Sequence, residues 1–405
     1  MPSPITQNST GCLARLDARL KQYVDEQKIA GILAALYRHG KLVYIGCHGC
    51  ADLSAQRAMR PDTLFRLFSM TKPVTAAAVM ALWDEGRFQL DDPVHRFLPE
   101  FEHLEVFAGQ SGGKTITAPL RRPITIHDLL THTSGLAYGL EPASPIDIRY
   151  QQERLLCGDE PLAEKIARLV KLPLLHQPGE RVTYSISFDV LSRLVEVIAG
   201  QPFDVFLQER LFHPLGMVDT GFQVPPEKQE RLAGIYRVTE GQPLTDLRPL
   251  AWSGLPELPE YLCGEWIDKS RPLRFLSGGG GLVSSLEDYL HFVQMLANCG
   301  EWQGRRILSR AAVEKMTANQ LPPEFCMPGL GSGYGLGVLT DPEQARLPAS
   351  KGAFGGGGAA GTEFWVDPGT GTIGIFMVQM IPGDAYPASQ EFKILSAQAV
   401  ADAVE

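Results

Sequence analysis

Ser69-Met70-Thr71-Lys72-Pro73 opens an apolar, alanine-rich run, Val74-Thr75-Ala76-Ala77-Ala78-Val79-Met80-Ala81-Leu82-Trp83. The run reads as a helix, since alanine, leucine and methionine lose little freedom in that conformation. Proline is tolerated only in the first helical turn, where backbone N–H groups lack partners anyway, so Pro73 places the helix start near Ser69. Residues three apart share a helix face, which sets the Lys72 ammonium beside the Ser69 hydroxyl. A serine hydroxyl is a weak nucleophile until a neighbour takes its proton, and a lysine shielded from water in a cleft helps to do so. The spacing alone equally describes a capping serine beside a solvated lysine.

Tyr184-Ser185-Ile186-Ser187 follows the turn signal Pro178-Gly179 and precedes an amphipathic run over 188–198. A tyrosine at a loop-to-helix junction can point its hydroxyl into a cleft, and between a lysine and a serine its phenolate serves as general base. The plain alternative is a tyrosine half-buried at a helix start.

Together these stretches resemble serine hydrolases of the class C β-lactamase type, which include the β-lactamase-like carboxylesterases (family VIII) and the serine D-Ala-D-Ala peptidases. The resemblance runs along most of the chain. Asp62-Thr63-Leu64-Phe65-Arg66-Leu67 leads into the Ser69 motif. Ile126-His127-Asp128-Leu129-Leu130-Thr131-His132-Thr133-Ser134-Gly135-Leu136 and Pro178-Gly179-Glu180 precede Tyr184; Gly200-Gln201-Pro202-Phe203 and Pro214-Leu215-Gly216-Met217 follow it. Near the C-terminus Gly358-Ala359-Ala360-Gly361-Thr362 runs into Trp365-Val366-Asp367-Pro368. The resemblance implies Ser69 as nucleophile, Lys72 and Tyr184 as its coupled base, and an oxyanion hole made by the backbone N–H groups of Ser69 and Ala359.

This chain departs from the β-lactamases at two places. Their Tyr-x-Asn has Ile186 in its third position here. Their Lys-Thr-Gly, or the Trp-Gly-Gly usual in the esterases, is matched by Gly356-Gly357-Gly358, with glycine where the tryptophan would be; Lys351-Gly352-Ala353 is an alternative alignment. The missing Asn and Lys help bind a β-lactam's amide and carboxylate, so an ester is the expected substrate. A cleft wall of glycines predicts room for a bulky acyl or alcohol group. Ile186, the three glycines and Tyr138, shortly after the Thr133-Ser134-Gly135 turn, are the expected substrate contacts. The same acyl-enzyme serves an acyltransferase if an alcohol or amine replaces water. A β-lactamase or D-Ala-D-Ala peptidase activity, or weak promiscuous cephalosporin hydrolysis, is the other alternative.

Composition agrees with an ordinary enzyme. The 405 residues are 44% hydrophobic and 20% charged, which are globular values. A formal net charge of -9 argues against nucleic acid or anionic membranes as partners. No apolar stretch reaches the length of a membrane span, and residues 1–6 lack a secretory leader pattern, so a cytoplasmic location is expected. Seven scattered cysteines, an odd number without framework spacing, suit reduced thiols. Cys47-His48-Gly49-Cys50 lacks a second ligand pair and reads as small core-filling side chains rather than zinc ligands. No metal spacing appears among the histidines, and no cofactor is expected.

The coarse pattern is a helix over 11–27, a hairpin over 31–37 and 41–46 turning at His39-Gly40, and the Ser69 helix. Short helical patterns follow at 126–130, 162–169, 188–198 and 203–211. Ser284-Ser285-Leu286-Glu287 reads as a capping box opening a helix to about 298. Strands are expected at 334–339, 361–366 and 372–380, and a closing helix at 390–404. The expected fold is therefore α/β (α+β): an antiparallel sheet flanked by helices, built from 1–89 and 277–405, with a mainly helical region inserted over 90–276; the resemblance implies the same layout, with the active site between the two. Ala108-Gly109-Gln110-Ser111-Gly112-Gly113-Lys114-Thr115 fits a permissive phosphate-loop pattern, but Pro119 and Pro123 follow where a helix must start, so it reads as a surface loop. No G-x-S-x-G elbow is present. The glycine run 278–281 is read as letting backbone pass close to the cleft. The loop position of His132 fits either a base or a structural role; the resemblance makes it structural.

Overall fold

The structure, a computed structural model, describes residues 10–250 and 264–402. Helix α1 (Thr10–Asp25) leads into β1 (Gly31–Arg38) and β2 (Lys41–Asp52), followed by β3 (Arg57–Ala58) and β4 (Leu64–Arg66). The β1–β2 turn falls at His39 and Gly40, both with positive φ (47° and 75°), the conformation a two-residue hairpin turn requires. Helix α2 (Thr71–Asp84) comes next, then the hairpin β5 (Glu105–Ser111) and β6 (Lys114–Pro119). The helices α3 (Ile126–Leu130), α4 (Leu162–Leu169), α5 (Ser187–Ala199) and α6 (Phe203–Leu207) follow. The chain then returns through β7 (Val283–Ser285) and α7 (Leu286–Ala297) to β8 (Leu330–Ser332), β9 (Gly337–Leu339), β10 (Phe354–Gly357), β11 (Glu363–Asp367), β12 (Thr372–Met377) and α8 (Ala388–Asp402).

One eight-stranded sheet, ordered β8-β9-β10-β11-β12-β1-β2-β3, draws strands from both ends of the chain. Its neighbours pair antiparallel, with β1 against β12 in the register Leu33↔Met377 to Arg38↔Thr372. Side chains alternate between faces along a strand, and β1 shows the consequence. Leu33 and Ala35 join the large core shared with α2, α5 and α7, whereas Ile32, Ala34 and Leu36 join a second core under α1 and α8. On α1 the buried Leu13, Leu16 and Leu20 form the facing stripe.

Helix α2 is the centre of the larger core. Residues Thr71 to Leu82 are all buried, as expected for a helix apolar on every side. Its alanines let neighbours approach closely. The glycine run 278–281 threads between α2 and α5: a Cβ on Gly278 would collide with the Ser192 hydroxyl and stand 2.8 Å from the Phe188 carbonyl oxygen. Thr75 donates to the Gly278 carbonyl across this gap at 2.8 Å.

The structure corrects several expectations. Residues 105–119 form a hairpin turning at Gly112 and Gly113, not a loop; this too excludes a phosphate loop, which must lead into a helix. The cap of α7 is Ser285, which accepts from the Asp288 N–H, one position beyond the expected Ser284 and Glu287 pair. The strand expected at 334–339 contracts to Gly337–Leu339, while β10, Phe354 and three glycines, is a strand that the residue pattern did not suggest and only the resemblance implied. Cys47 is exposed and Cys50 partly so, because β2 runs on through them at the sheet periphery, so they do not fill the core. Cys47, Cys50, Cys299 and Cys326 are free thiols and buried Cys12 accepts from the Arg15 guanidinium, but Cys157 is disulfide-bonded, contrary to the reduced-thiol expectation. Cys263 and positions 403–404 of the closing helix lie outside the described residues.

Gly278→Ala is expected to destabilise the fold by about 1–3 kcal/mol, since the added methyl must displace buried atoms on two helices. Gly221→Ala, where the nearest atom would be 3.8 Å from the new Cβ, should stay within about 0.5 kcal/mol. Paired thermal or urea melts check the contrast.

Candidate active site

Ser69 lies in a single 3-10 turn, Phe68–Met70, that feeds directly into α2. Phe68 has φ +47°, an unfavourable conformation for a residue with a side chain, and the surrounding packing holds it there. Its ring stacks on Trp266 at 6.1 Å and 8°. The Trp266 indole donates to the Leu156 carbonyl at 2.7 Å. A Cβ on Gly280 would collide with that indole, so the bare glycine is what admits it. Leu67 N–H bonds to the Leu282 carbonyl at 2.9 Å, and Tyr289 donates to the Met70 carbonyl at 2.9 Å. The turn carrying Ser69 is thus tied on both flanks.

The structure brings Ser69, Lys72 and Tyr184 together. Lys72 Nζ donates to Ser69 Oγ at 3.1 Å and to the Gly279 carbonyl at 2.6 Å. The Tyr184 hydroxyl is 2.6 Å from Ser69 Oγ, and either can be the donor. Lys72 is buried and Nζ stands 4.5 Å from the centre of the Tyr184 ring and 5.5 Å from that of Tyr138. Tyr184 itself is 45% exposed. One side of the triad therefore meets solvent, and the ammonium sits behind it among aromatic faces.

Three main-chain ties fix Tyr184. Thr183 N–H donates to the His132 carbonyl at 2.8 Å, Ser185 N–H to His132 Nδ1 at 3.2 Å, and Ile186 N–H to the Ala137 carbonyl at 3.0 Å. Because Nδ1 accepts, the proton of the neutral imidazole resides on Nε2. The His132 ring packs 4.7 Å from the Tyr184 ring. Burial, and then the Lys72 charge, push the His132 imidazole down to about 3, so it stays neutral.

Asp189, which the sequence reading did not single out, lies buried behind the lysine. Its Oδ1 accepts from Ser277 Oγ at 2.5 Å and from the Gly279 N–H at 3.4 Å, and Oδ2 has no hydrogen-bond partner among the described residues. Burial raises the Asp189 carboxyl, while Ser277, Lys72 and the Gly279 amide pull it back. Gly279 links the two groups, with its carbonyl on Lys72 and its amide on Asp189. The one trace in the sequence was an aspartate on the apolar side of the helix after Tyr184.

On the facing wall, a Cβ at Gly358 would collide with the Leu67 carbonyl oxygen, two residues before Ser69. Thr362 Oγ1 donates to the same carbonyl at 3.3 Å, and Gly358 N–H donates to the Thr362 carbonyl at 2.7 Å. Gly356 and Gly357 form the end of β10, and half-buried Ala359 follows the contact. Lys351 and Gly352 sit in a turn ahead of the strand, so the glycines, not the lysine, line this wall. Tyr138 is buried with its ring 5.3 Å from Tyr184, backing the site. Ile186 departs from its expected role: it is 1% exposed within the large core, because it caps the start of α5 with its side chain turned inward.

The family model described as Beta-lactamase matches residues 16–399. Protein Rv1367c of Mycobacterium tuberculosis (strain H37Rv) is 39% identical over 379 residues, spanning 90% of this chain and 89% of that protein. Esterase EstB of Burkholderia gladioli is 36% identical over 379 residues, 91% of each. Among solved structures, EstCE1, described as a hydrolase with promiscuous acyltransferase activity, superposes with a TM-score of 0.81 at 27% identity, covering 98% of this chain and all of its own (100%). The chain, a serine hydrolase by fold and relatives, belongs to the β-lactamase family.

Proposed function

We propose that this protein is a serine carboxylesterase of the β-lactamase-like, family VIII type, acting on short- to medium-chain esters through an acyl-enzyme on Ser69. The observation that carries the reading is the convergence of Tyr184 and Lys72 on Ser69 Oγ at 2.6 and 3.1 Å. The esterase relative EstB and the hydrolase EstCE1 support it.

In this mechanism Tyr184 reacts as the phenolate: Ser69 Oγ attacks the ester carbonyl carbon as its proton passes to the Tyr184 phenolate oxygen, and the Lys72 ammonium steadies the negative charge shared between the two oxygens. The carbonyl π electrons move to oxygen, and the Ser69 and Ala359 N–H groups receive that oxyanion. Collapse expels the alkoxide, which takes the proton from Tyr184. Water then repeats the sequence on the acyl-enzyme and releases the acid. An alcohol in place of water makes an ester instead; the acyltransferase activity named for EstCE1 favours that second reading. Ile186 and the absent Lys-Thr-Gly disfavour a β-lactamase. The division into a discontinuous 1–89 and 277–405 domain and a 90–276 domain, with the cleft between, belongs to the same proposal; the shared sheet supports it. Of location, no described helix is long and apolar enough to cross a membrane. The disulfide at Cys157 counts against the cytoplasmic expectation, since disulfides are rare in reducing compartments.

Hydrolysis of p-nitrophenyl acetate and butyrate is expected, with nitrocefin turned over slowly or not at all. Ser69→Ala should reduce ester turnover to background, and Tyr184→Phe should lower kcat by about 100- to 10,000-fold. Ester hydrolysis surviving Ser69→Ala, or nitrocefin as the better substrate, overturns the reading.

His132 serves stability rather than proton transfer in this account. Its folded value near 3 lies below the unfolded value of 6.5. Folding therefore favours the neutral ring, and stability falls as pH drops from about 6.5 towards 3, by about 2 kcal/mol at pH 5. Urea melts at pH 7 and 5 should show a smaller acid loss in His132→Gln than in the wild type; equal losses contradict the assignment.

A further inference from the structure

Asp189 on α5 and Lys72 on α2 are both shut away from water, at 1% and 3% exposure. Lys72 Nζ has two hydrogen-bond acceptors, Ser69 Oγ and the Gly279 carbonyl, and neither carries a charge. The ring faces of Tyr184, Tyr138 and Phe188 stand around it at 4.5, 5.5 and 6.0 Å. The peptide unit joining Gly278 to Gly279 is held at both ends. Thr75 Oγ1 donates to its carbonyl at 2.8 Å, and its N–H donates to Asp189 Oδ1 at 3.4 Å. The next carbonyl along the chain, that of Gly279, is the one that accepts from Lys72 at 2.6 Å. Both carboxyl oxygens face this glycine, since a Cβ on Gly279 would stand 2.7 Å from Oδ2.

The hydrogen bonds favour an ionised Asp189. Oδ1 accepts twice, from Ser277 Oγ at 2.5 Å and from the Gly279 N–H. A proton on Oδ2 would be a buried donor with no acceptor among the described residues, whereas a carboxylate there is answered by the Lys72 charge. Burial raises the carboxyl, and the Ser277 hydrogen bond, Lys72, the Gly279 amide and Lys165 oppose that rise. Of those two cations, Lys165 on α4 has an acid of its own in Glu160, 3.9 Å away, and donates to the Cys157 carbonyl. His132, the titratable ring packed on Tyr184, is neutral. Among the described residues, Asp189 and Lys72 are thus left to each other as counter-ions.

We propose that Asp189 is a positioning residue: it clamps the 278–279 peptide so that the Gly279 carbonyl meets Lys72, and its constant negative charge keeps Lys72 an ammonium while Tyr184 gains and loses its proton. The proposal rests on the esterase reading above. In that mechanism Tyr184 is neutral between attack and collapse, so its phenolate cannot balance the lysine at that stage. Asp189 balances it throughout, across a gap of low dielectric and without competing with Ser69 Oγ for Nζ.

Asp189→Asn keeps the shape and an acceptor at Oδ1 but removes the charge. It should move the alkaline limb of the kcat/KM profile for p-nitrophenyl butyrate to lower pH by at least about 0.5 unit, because the ammonium then gives up its proton more readily. A smaller shift overturns the proposal; a merely structural aspartate would lower activity alike at every pH. Melting midpoints of the wild type, Asp189→Asn, Lys72→Met and the double variant read the pairing independently. Asp189→Asn should lower the midpoint when Lys72 is present and leave or raise it in the Lys72→Met background, where the buried charge has lost its partner. If Asp189→Asn alone fails to fold, the double variant should fold. A loss that Lys72→Met does not relieve overturns the proposal. Absence of Ser69-dependent turnover in the wild type sinks the esterase reading instead, and the melts then decide the pairing alone.

Discussion

A buried ammonium needs partners, and the architecture around Lys72 is arranged to supply them without an acid in direct contact. The Gly279 carbonyl takes one N–H bond and Ser69 Oγ another. A carbonyl can reach Nζ only if the main chain at 278–281 passes between α2 and α5, and it passes there only because those residues have no side chains. An unpaired charge taken out of water costs several kcal/mol, so this contact constrains the helix, the glycine run and α5 together. Asp189 contributes charge from one residue further away, through the Gly279 amide. A carboxylate in direct contact would tie up the ammonium that the serine needs.

The second constraint is the close approach of the two walls. Leu67 accepts from Thr362 and lies against Gly358, which locks the end of β10 to the strand-to-helix turn carrying Ser69. Phe68 pays a conformational penalty in that turn, offset by its stacking on Trp266 and by the hydrogen bonds of Leu67 and Met70. Strain held by packing of this kind is common where a side chain must be presented at a fixed angle. The same glycine run leaves the end of β10 paired with β11 alone among the described residues.

Much of this was legible in the residues. The S-x-x-K spacing and Pro73 placed the nucleophile and lysine on one helix face, and the Pro178-Gly179 turn placed Tyr184 at a helix start, because local stereochemistry decides such features. The alternating strands at both ends of the chain announced a shared sheet. What was hidden depended on contacts distant in sequence. Phe354-Gly355-Gly356-Gly357 carries no strand propensity, and only pairing with β11 and β9 makes it β10. Asp189 looked like a polar interruption in an amphipathic helix until the 278–281 segment closed over it. Ile186 was placed in the cleft by resemblance, yet the backbone at the start of α5 turns it into the core. The hairpin at 105–119 was concealed by its polar composition, with exposure on both faces weakening the alternation.

Every other assignment depends on Ser69 being the activated nucleophile of this fold, and covalent labelling of that hydroxyl reads its reactivity without reference to any one substrate. The protein would be treated with a p-nitrophenyl alkylphosphonate, and intact mass and peptide mapping would count and locate the adducts. One adduct per chain is expected, on Ser69, formed far more slowly in Tyr184→Phe. Labelling at another serine, or none at Ser69 under conditions that modify a known serine esterase, would contradict it.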